Sequence, residues 1–239
     1  MIKAILFDLD GTLLPLDETK FMKLYFGGIG AKFAKHGYDP NQIIQAIIAG
    51  TEQMRSNDGS KTNEQAFWPV FFQRIQGDSN WFYDQFVDFY ETGFDQVSES
   101  TSPSEVPSQI MKILDHKRIR KALATNPLFP KIATHKRIGW AGLQVSDFEW
   151  ISTYEVSKYS KPSLNYYQCF LDKMGLKAEE CAMVGNDADE DMAARELGMH
   201  VFLLTDCLNN HQGKDIQVYP HGTMNELYEW IESLPEVIE

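Results

Sequence analysis

Residues 5–14 of the chain read ILFDLDGTLL, an apolar run into which two carboxylates, Asp8 and Asp10, are set. The run begins at Ile2, is short and rich in Ile, Leu and Phe, and is closed by Gly11 and Pro15. That pattern fits a buried strand better than a helix. While the chain is extended, alternate residues share a face, so Asp8 and Asp10 lie on one side. Burial raises the free energy of an ionised carboxylate, and a second one nearby raises it further. The pair therefore requires a compensating cation or a catalytic task.

Beyond this stretch the chain changes character twice. From Leu16 to Val97 it is helical and aromatic in pattern: AKFAKHG stops at a glycine, PNQIIQAIIAG starts at Pro40 and stops at Gly50, and NEQAFWPVFFQRIQG and SNWFYDQFVDFYETG follow. Its rings, among them Phe67, Phe71, Phe82, Phe86 and Phe89, recur at helical spacing and read as the core of this segment. Residues 98–108, SESTSPSEVPS, are polar with two prolines and read as a linker. Helix-like and strand-like segments then alternate: QIMKILDHK before IRKALATN, PKIATHKRIGWAG before FEWIST, KPSLNYYQCFLDKMG before ECAMVG, and DEDMAARELG before MHVFLLT. Such alternation after an opening strand predicts an α/β fold, a Rossmann-like parallel sheet of about five strands with helices on both faces. Residues 1–16 and 98–239 then form the core, and 17–97 are a helical unit inserted after its first strand. Thr223 and Glu226, at capping-box spacing, open a last helix with Leu227, Ile231 and Leu234 on one stripe.

With 239 residues, 43% of them apolar, the chain can bury one sizeable core with an inserted smaller unit. A formal net charge of -12 argues against a nucleic acid polymer or an anionic membrane surface as partner, and leaves room for a local cationic pocket. Cys169, Cys181 and Cys207 are odd in number and widely spaced, which predicts neither a disulfide framework nor a zinc site and suits a reduced, cytoplasmic protein. The opening MIKAILFDLD is too short and too acidic for a signal peptide, and no stretch has the apolar length of a membrane span.

In parallel sheets ligands bind beyond the carboxyl ends of the strands, so the residues just after each apolar run are the informative ones. These are Asp8 and Asp10; Thr125 and Asn126 after the second strand; Lys161 in YSKPS, with Pro162 placed to start a helix; and Asn186, Asp187, Asp189, Glu190 and Asp191 in GNDADED. Carboxylates with a hydroxyl and an ammonium on one sheet edge suit Mg²⁺ beside a phosphoryl group. A hard cation takes oxygen ligands, and phosphoryl oxygens take Lys, hydroxyl and backbone N–H donors. The cation also offsets carboxylate–phosphate repulsion and keeps a nucleophilic carboxylate ionised. Asp189 and Glu190 read instead as first-turn acids that cap a helix. The histidines show no ligand spacing, and Lys158 lacks the proline that accompanies Lys161.

Together these residues resemble the four motifs of the haloacid dehalogenase superfamily, in its phosphatase branch with a helical C1-type cap (subfamily IA). DLDGTLL resembles the first motif, Thr125 in ATN the second, Lys161 in SKP the third and GNDADED the fourth. The resemblance covers the core and implies a Mg²⁺-dependent phosphatase acting on a small phosphorylated metabolite. It implies that Asp8 attacks phosphorus to give an aspartyl-phosphate. Asp10 would protonate the leaving oxygen and then activate water, while its backbone carbonyl joins the metal shell. Gly11, Thr125, Asn126 and Lys161 would hold phosphoryl oxygens, and the metal would be held among Asp8, Asp10, Asn186, Asp187 and Asp191. The fourth motif departs from the pattern, because the family usually has Asp directly after the glycine and this chain has Asn186. Either Asn186 ligates through its amide oxygen or Asp187 takes its place, with Asp191 supporting Lys161 or a metal-bound water. The cap would close over the phosphate as a lid.

Other activities share parts of this pattern. A phosphomutase or a phosphonate hydrolase of the same superfamily uses much of it, whereas a dehalogenase lacks the acid that Asp10 supplies. A phosphorylation-driven receiver domain also sets Asp, Thr and Lys at strand ends, but is much shorter and carries no insertion after its first strand. A non-catalytic phosphate-binding regulatory protein is suggested only by Asn186. The sequence leaves the particular substrate and the oligomeric state open.

Overall fold

The computed structural model describes residues 1–238. Its strands are β1 (Ala4–Phe7), β2 (Arg120–Leu123), β3 (Trp150–Ile151), β4 (Cys181–Gly185), β5 (His200–Leu204) and β6 (His221–Gly222). The helices are α1 (Glu18–Ala34), α2 (Pro40–Arg55), α3 (Asn63–Arg74), α4 (Ser79–Asp88), α5 (Val106–His116), α6 (Lys131–Trp140), α7 (Leu164–Met174) and α8 (Met224–Ser233). Among the described residues the strands form one parallel sheet in the order β3-β2-β1-β4-β5-β6. β1, buried along its whole length, lies in the middle, with Phe7 beside Leu123 on one side and Val184 on the other.

Alternation along β1 feeds two cores. Ile5 and Phe7 pack with Ile110 and Leu114 of α5 and Leu227 and Ile231 of α8, while Ala4 and Leu6 pack with Tyr167 and Phe170 of α7. The connections run outward through β2 and β3 on one side and through β4, β5 and β6 on the other, so the order reverses between β1 and β4. In open parallel sheets that reversal opens a crevice at the strand ends.

Residues 18–100 are helical throughout their main elements and have a third core of Phe, Tyr, Trp and Ile side chains, including Phe33, Phe71, Phe82 and Phe94. Side-chain caps fix the helix starts: Asp17 for α1, Asp39 ahead of Pro40 for α2, the Thr62–Gln65 capping box for α3 and Asp78 for α4. The chain leaves and re-enters the sheet at neighbouring points, where Leu16 bridges Thr101, Asp17 N–H donates to Ser100 O at 2.9 Å and Ser102 N–H to Pro15 O at 2.8 Å. A second tie lies across the fold. Asn63 N–H donates to Ser157 O and Glu64 N–H to Tyr154 O, and the buried Asn63 amide reaches Pro127 O and Ser160 Oγ, both at 3.1 Å.

Several local expectations are corrected. Gly50 does not end its helix, which continues to Arg55; a Cβ there would sit 2.5 Å from Phe67 Cδ2, so the glycine serves the close packing of α2 on α3. Of the polar segment 98–108, the first residues close a 3-10 turn ending at Ser100 and the last open α5, leaving only Thr101–Glu105 between them. The sheet gains a sixth short strand, β6. Pro162 does not start a helix: it follows a cis peptide bond after Lys161, and α7 begins at Leu164. Residues 191–197 form a 3-10 helix rather than an α-helix. The capping box of α8 is present as expected. Cys169, Cys181 and Cys207 are free thiols, and among the described residues no helix is long and apolar enough to cross a membrane.

Candidate active site

Asp8 follows the last residue of β1, and its N–H donates to Val184 O at 2.9 Å, which seats its carboxylate at the crevice between β1 and β4. Lys161 reaches the same place from the loop before α7. Its ammonium donates to Asp8 Oδ1 at 2.7 Å and to Asp191 Oδ1 at 2.6 Å, and the lysine is 2% exposed. Burial disfavours that charge, but the Asp191 and Asp8 carboxylates beside it outweigh the penalty and hold its pKa well above the usual value. Asp191, sharing one ammonium with Asp8, is pushed by burial up to about 7. Its second oxygen accepts the Asp187 N–H at 3.0 Å. Gly185 makes room for it, since a Cβ there would lie 2.0 Å from Asp191 Oδ2.

The other Asp8 oxygen faces a cluster short of protons. Thr12 Oγ lies 3.2 Å from Asp8 Oδ2 and 2.9 Å from Asn186 Oδ1, and its single hydrogen can serve only one of them. The Asn186 amide cannot be turned round to supply another, because its Nδ2 donates to Cys207 O at 2.8 Å. An oxygen-only set with too few hydrogens is what a hard divalent cation takes. Charge points the same way: among the described residues, the carboxylates of Asp8, Asp10 and Asp191 pair only with the cations Lys161 and Arg137. The residues present thus fit Mg²⁺, with Asp8 and Asn186 as the side chains that would hold it.

Asp191 bonds Lys161, one of the two roles expected of it, while Asp187, the alternative to Asn186, is engaged by other donors. Both N–H groups of Asp189 and Glu190 donate to Asp187 Oδ1 at 2.7 Å, and Asn209 donates to its Oδ2 at 2.7 Å. Asp187 is therefore the residue that caps the turn. The capping role expected of Asp189 and Glu190 is corrected: Asp189 accepts from Gln212 N–H, and Glu190 bridges Arg55 of α2 and Asn126. Among the described residues no three His, Cys, Asp or Glu side chains gather as a metal cage.

Thr125 and Asn126 follow β2 at the neighbouring strand end. The Thr125 carbonyl is pinned by Ser152 Oγ at 2.5 Å and Tyr166 OH at 2.8 Å, which fixes the backbone of this turn. Asn126 is a brace, accepting from Lys161 N–H at 3.3 Å and donating to Glu190 at 2.8 Å. Gly11 has φ +80° and packs its Cα face against the Asn186 amide. Asp10 turns toward α6, where Arg137 donates to its Oδ2, while its Oδ1 is buried with no partner among the described residues. Burial pushes the Asp10 carboxyl above its usual range, against the pull of Arg137. Apart from Asp189, the strand-end residues expected from the sequence border one cavity of about 1960 Å³, which is lined also by rings such as Phe26, Trp68 and Tyr83. Arg137, Ser152 and Tyr166 were not anticipated. Arg137 lies in the basic run HKRIG, which reads as a solvated helix face, and nothing in the local sequence marks it as buried.

Comparison with known proteins agrees with this architecture. A family model described as haloacid dehalogenase-like hydrolase matches residues 2–198. A stretch of 89 residues is 33% identical to the glyceraldehyde 3-phosphate phosphatase of Methanocaldococcus jannaschii, covering 36% of this chain and 39% of that protein. Among solved structures, the HAD phosphatase from Thermococcus onnurineus is similar over 99% of this chain and 100% of its own, with a TM-score of 0.62 at 16% identity. The magnesium-bound HAD hydrolase YfnB of Bacillus subtilis is similar over 98% and 99% with a TM-score of 0.55, also at 16% identity. These likenesses to solved structures concern the fold. With Asp8 and Asp191 bonded to Lys161 at the edge of a sheet of this order and a family match over most of its length, the chain belongs to the haloacid dehalogenase-like hydrolase family.

Proposed function

We propose that the chain is a Mg²⁺-dependent phosphatase that hydrolyses a small phosphomonoester through an aspartyl-phosphate on Asp8. The observation that carries this reading is the buried Asp8 carboxylate, bonded on one oxygen to Lys161 and facing the proton-poor oxygen cluster with the other. Asp8 attacks phosphorus and the ester oxygen departs on the opposite side. Lys161 offsets charge on the transferring group; the Gly11 N–H, expected as a further donor to it, is engaged instead by Leu14 O at 2.8 Å. Mg²⁺, when bound, would supply positive charge beside Asp8 and the phosphoryl oxygens. Asp10 gives a proton to the leaving alkoxide and then takes one from the water that hydrolyses the intermediate. The rings that line the cavity, Phe26, Trp68 and Tyr83 among them, offer an apolar surface for the organic part of the ester.

Support for the substrate class comes from the glyceraldehyde 3-phosphate phosphatase likeness, which spans only part of both chains, so triose phosphates belong in any panel tested. The deciding experiment measures phosphate release from sugar phosphates, nucleotides and aryl phosphates, with Mg²⁺ and with EDTA, by the wild-type chain and by Asp8→Asn. Turnover that disappears with EDTA and falls on the order of 10³-fold or more in Asp8→Asn supports the reading. Turnover indifferent to both removes it.

A further inference from the structure

Arg137 is a large charged side chain that the structure buries almost completely, to 1% exposure, and that the reaction described above does not use. It projects from α6 and is held on several sides. Its Nε donates to Ala133 O and an Nη to Thr134 Oγ, both at 3.3 Å, and its guanidinium lies 4.5 Å from the centre of the Phe129 ring. Its remaining reach is to Asp10 Oδ2. Arg137 does not border the cavity; Asp10 does. A buried guanidinium with a rigid fork is expensive to keep unless its fixed geometry serves a purpose, and the geometry it imposes here divides one carboxylate in two. Arg137 holds Oδ2, and among the described residues Oδ1 is the oxygen left without a partner.

We propose that Arg137 is the positioning residue of Asp10, fixing Oδ2 so that Oδ1 is the oxygen that meets first the leaving group and then water. The proposal rests on the reading of Asp10 as acid and base. Without the clamp the Asp10 side chain is free to turn about its χ angles, and proton transfer loses its alignment while binding and attack by Asp8 remain. The loss should therefore scale with how much the leaving group needs a proton.

The test uses p-nitrophenyl phosphate, whose leaving anion is stable unaided, and benzyl phosphate, whose alkoxide is not. It compares wild type with Arg137→Met, Arg137→Lys and Asp10→Asn, in Mg²⁺. For Arg137→Met, kcat/KM on benzyl phosphate is expected to fall about 10²-fold or more, the scale of general acid catalysis. On p-nitrophenyl phosphate kcat/KM, which covers steps up to leaving-group departure, should change less than about 5-fold, while kcat falls because the water step still needs the base. Asp10→Asn should show the same split, and the double variant Asp10→Asn/Arg137→Met should lose little more than Asp10→Asn alone. Arg137→Lys keeps the buried charge and guards against unfolding; it should retain the folded state and still show the leaving-group split. Equal loss on both esters, full activity in the folded variants, or multiplicative losses in the double variant would overturn the proposal. Wild-type turnover unaffected by Asp8→Asn would instead overturn the phosphatase reading, and the proposal with it.

Discussion

Gly11 adopts φ +80°, a conformation that side chains resist, and a Cβ at this position would lie 2.4 Å from Asn186 Nδ2. Gly11→Ala is therefore expected to cost about 1–2 kcal/mol for the left-handed backbone alone, and to push the amide off Cys207 O as well. Urea unfolding measures the first effect, and weakened Mg²⁺ binding by calorimetry the second. Asp8, Asp10, Thr125 and Asn186 were legible because each directly or closely follows an apolar run, and Lys161, a loop beyond β3, by the proline beside it; parallel strands bring their carboxyl ends to one edge whatever lies between them in sequence. The partners of these residues were not legible. Arg137 lies 127 positions from Asp10, and the assignment of Asp187 to a turn depends on N–H directions that composition does not reveal.

At the level of elements, two glycines in helices make opposite predictions. Gly27 in α1 has no atom within 4 Å of a built Cβ, whereas Gly50 in α2 meets Phe67 at 2.5 Å. Gly27→Ala should stabilise by about 0.5–1 kcal/mol through helix propensity. Gly50→Ala gains the same intrinsic preference but overpacks the α2–α3 contact, a term of about 1–3 kcal/mol, so the net sign should be destabilising. Thermal melts of the two variants beside wild type check both. The same contrast explains why Gly50 read as a helix stop: a glycine required by a neighbouring ring and one required by a turn look alike until the neighbour is known. The capping box of α8 was readable because Thr223 and Glu226 sit three residues apart, whereas that of α3, Thr62 with Gln65, was not singled out.

Over the whole molecule, several tyrosines share one electrostatic condition. Burial, the largest cause, raises the phenol of Tyr25 to about 12 from an ordinary 10.0, and those of Tyr90, Tyr154, Tyr166 and Tyr167 are also raised. Each stays protonated in the native state at a pH where the unfolded chain ionises, so their contribution is intact below pH 10 and is lost as the pH rises, for Tyr25 across about 10 to 12. Stability is expected to fall above pH 10 by about 1.4 kcal/mol per pH unit for each such phenol. Absorbance at 295 nm should then show a fraction of the tyrosines ionising only together with unfolding. Tyr25→Phe should make the decline with pH shallower. The placement of β1 has a consequence of another kind. Ala4 pairs with Arg120 and Cys181, so β1 leaves the ribosome before either neighbour has been made. At about 5–20 residues per second it waits roughly ten to forty seconds for both. During that interval ILFDLD is a strand-prone hydrophobic segment of the sort that seeds aggregates, and the two acids set into it are the kind of charge that disfavours such association. The charge of Asp8 and Asp10 thus opposes association of this segment before any strand pairs with it, independently of the site they later border.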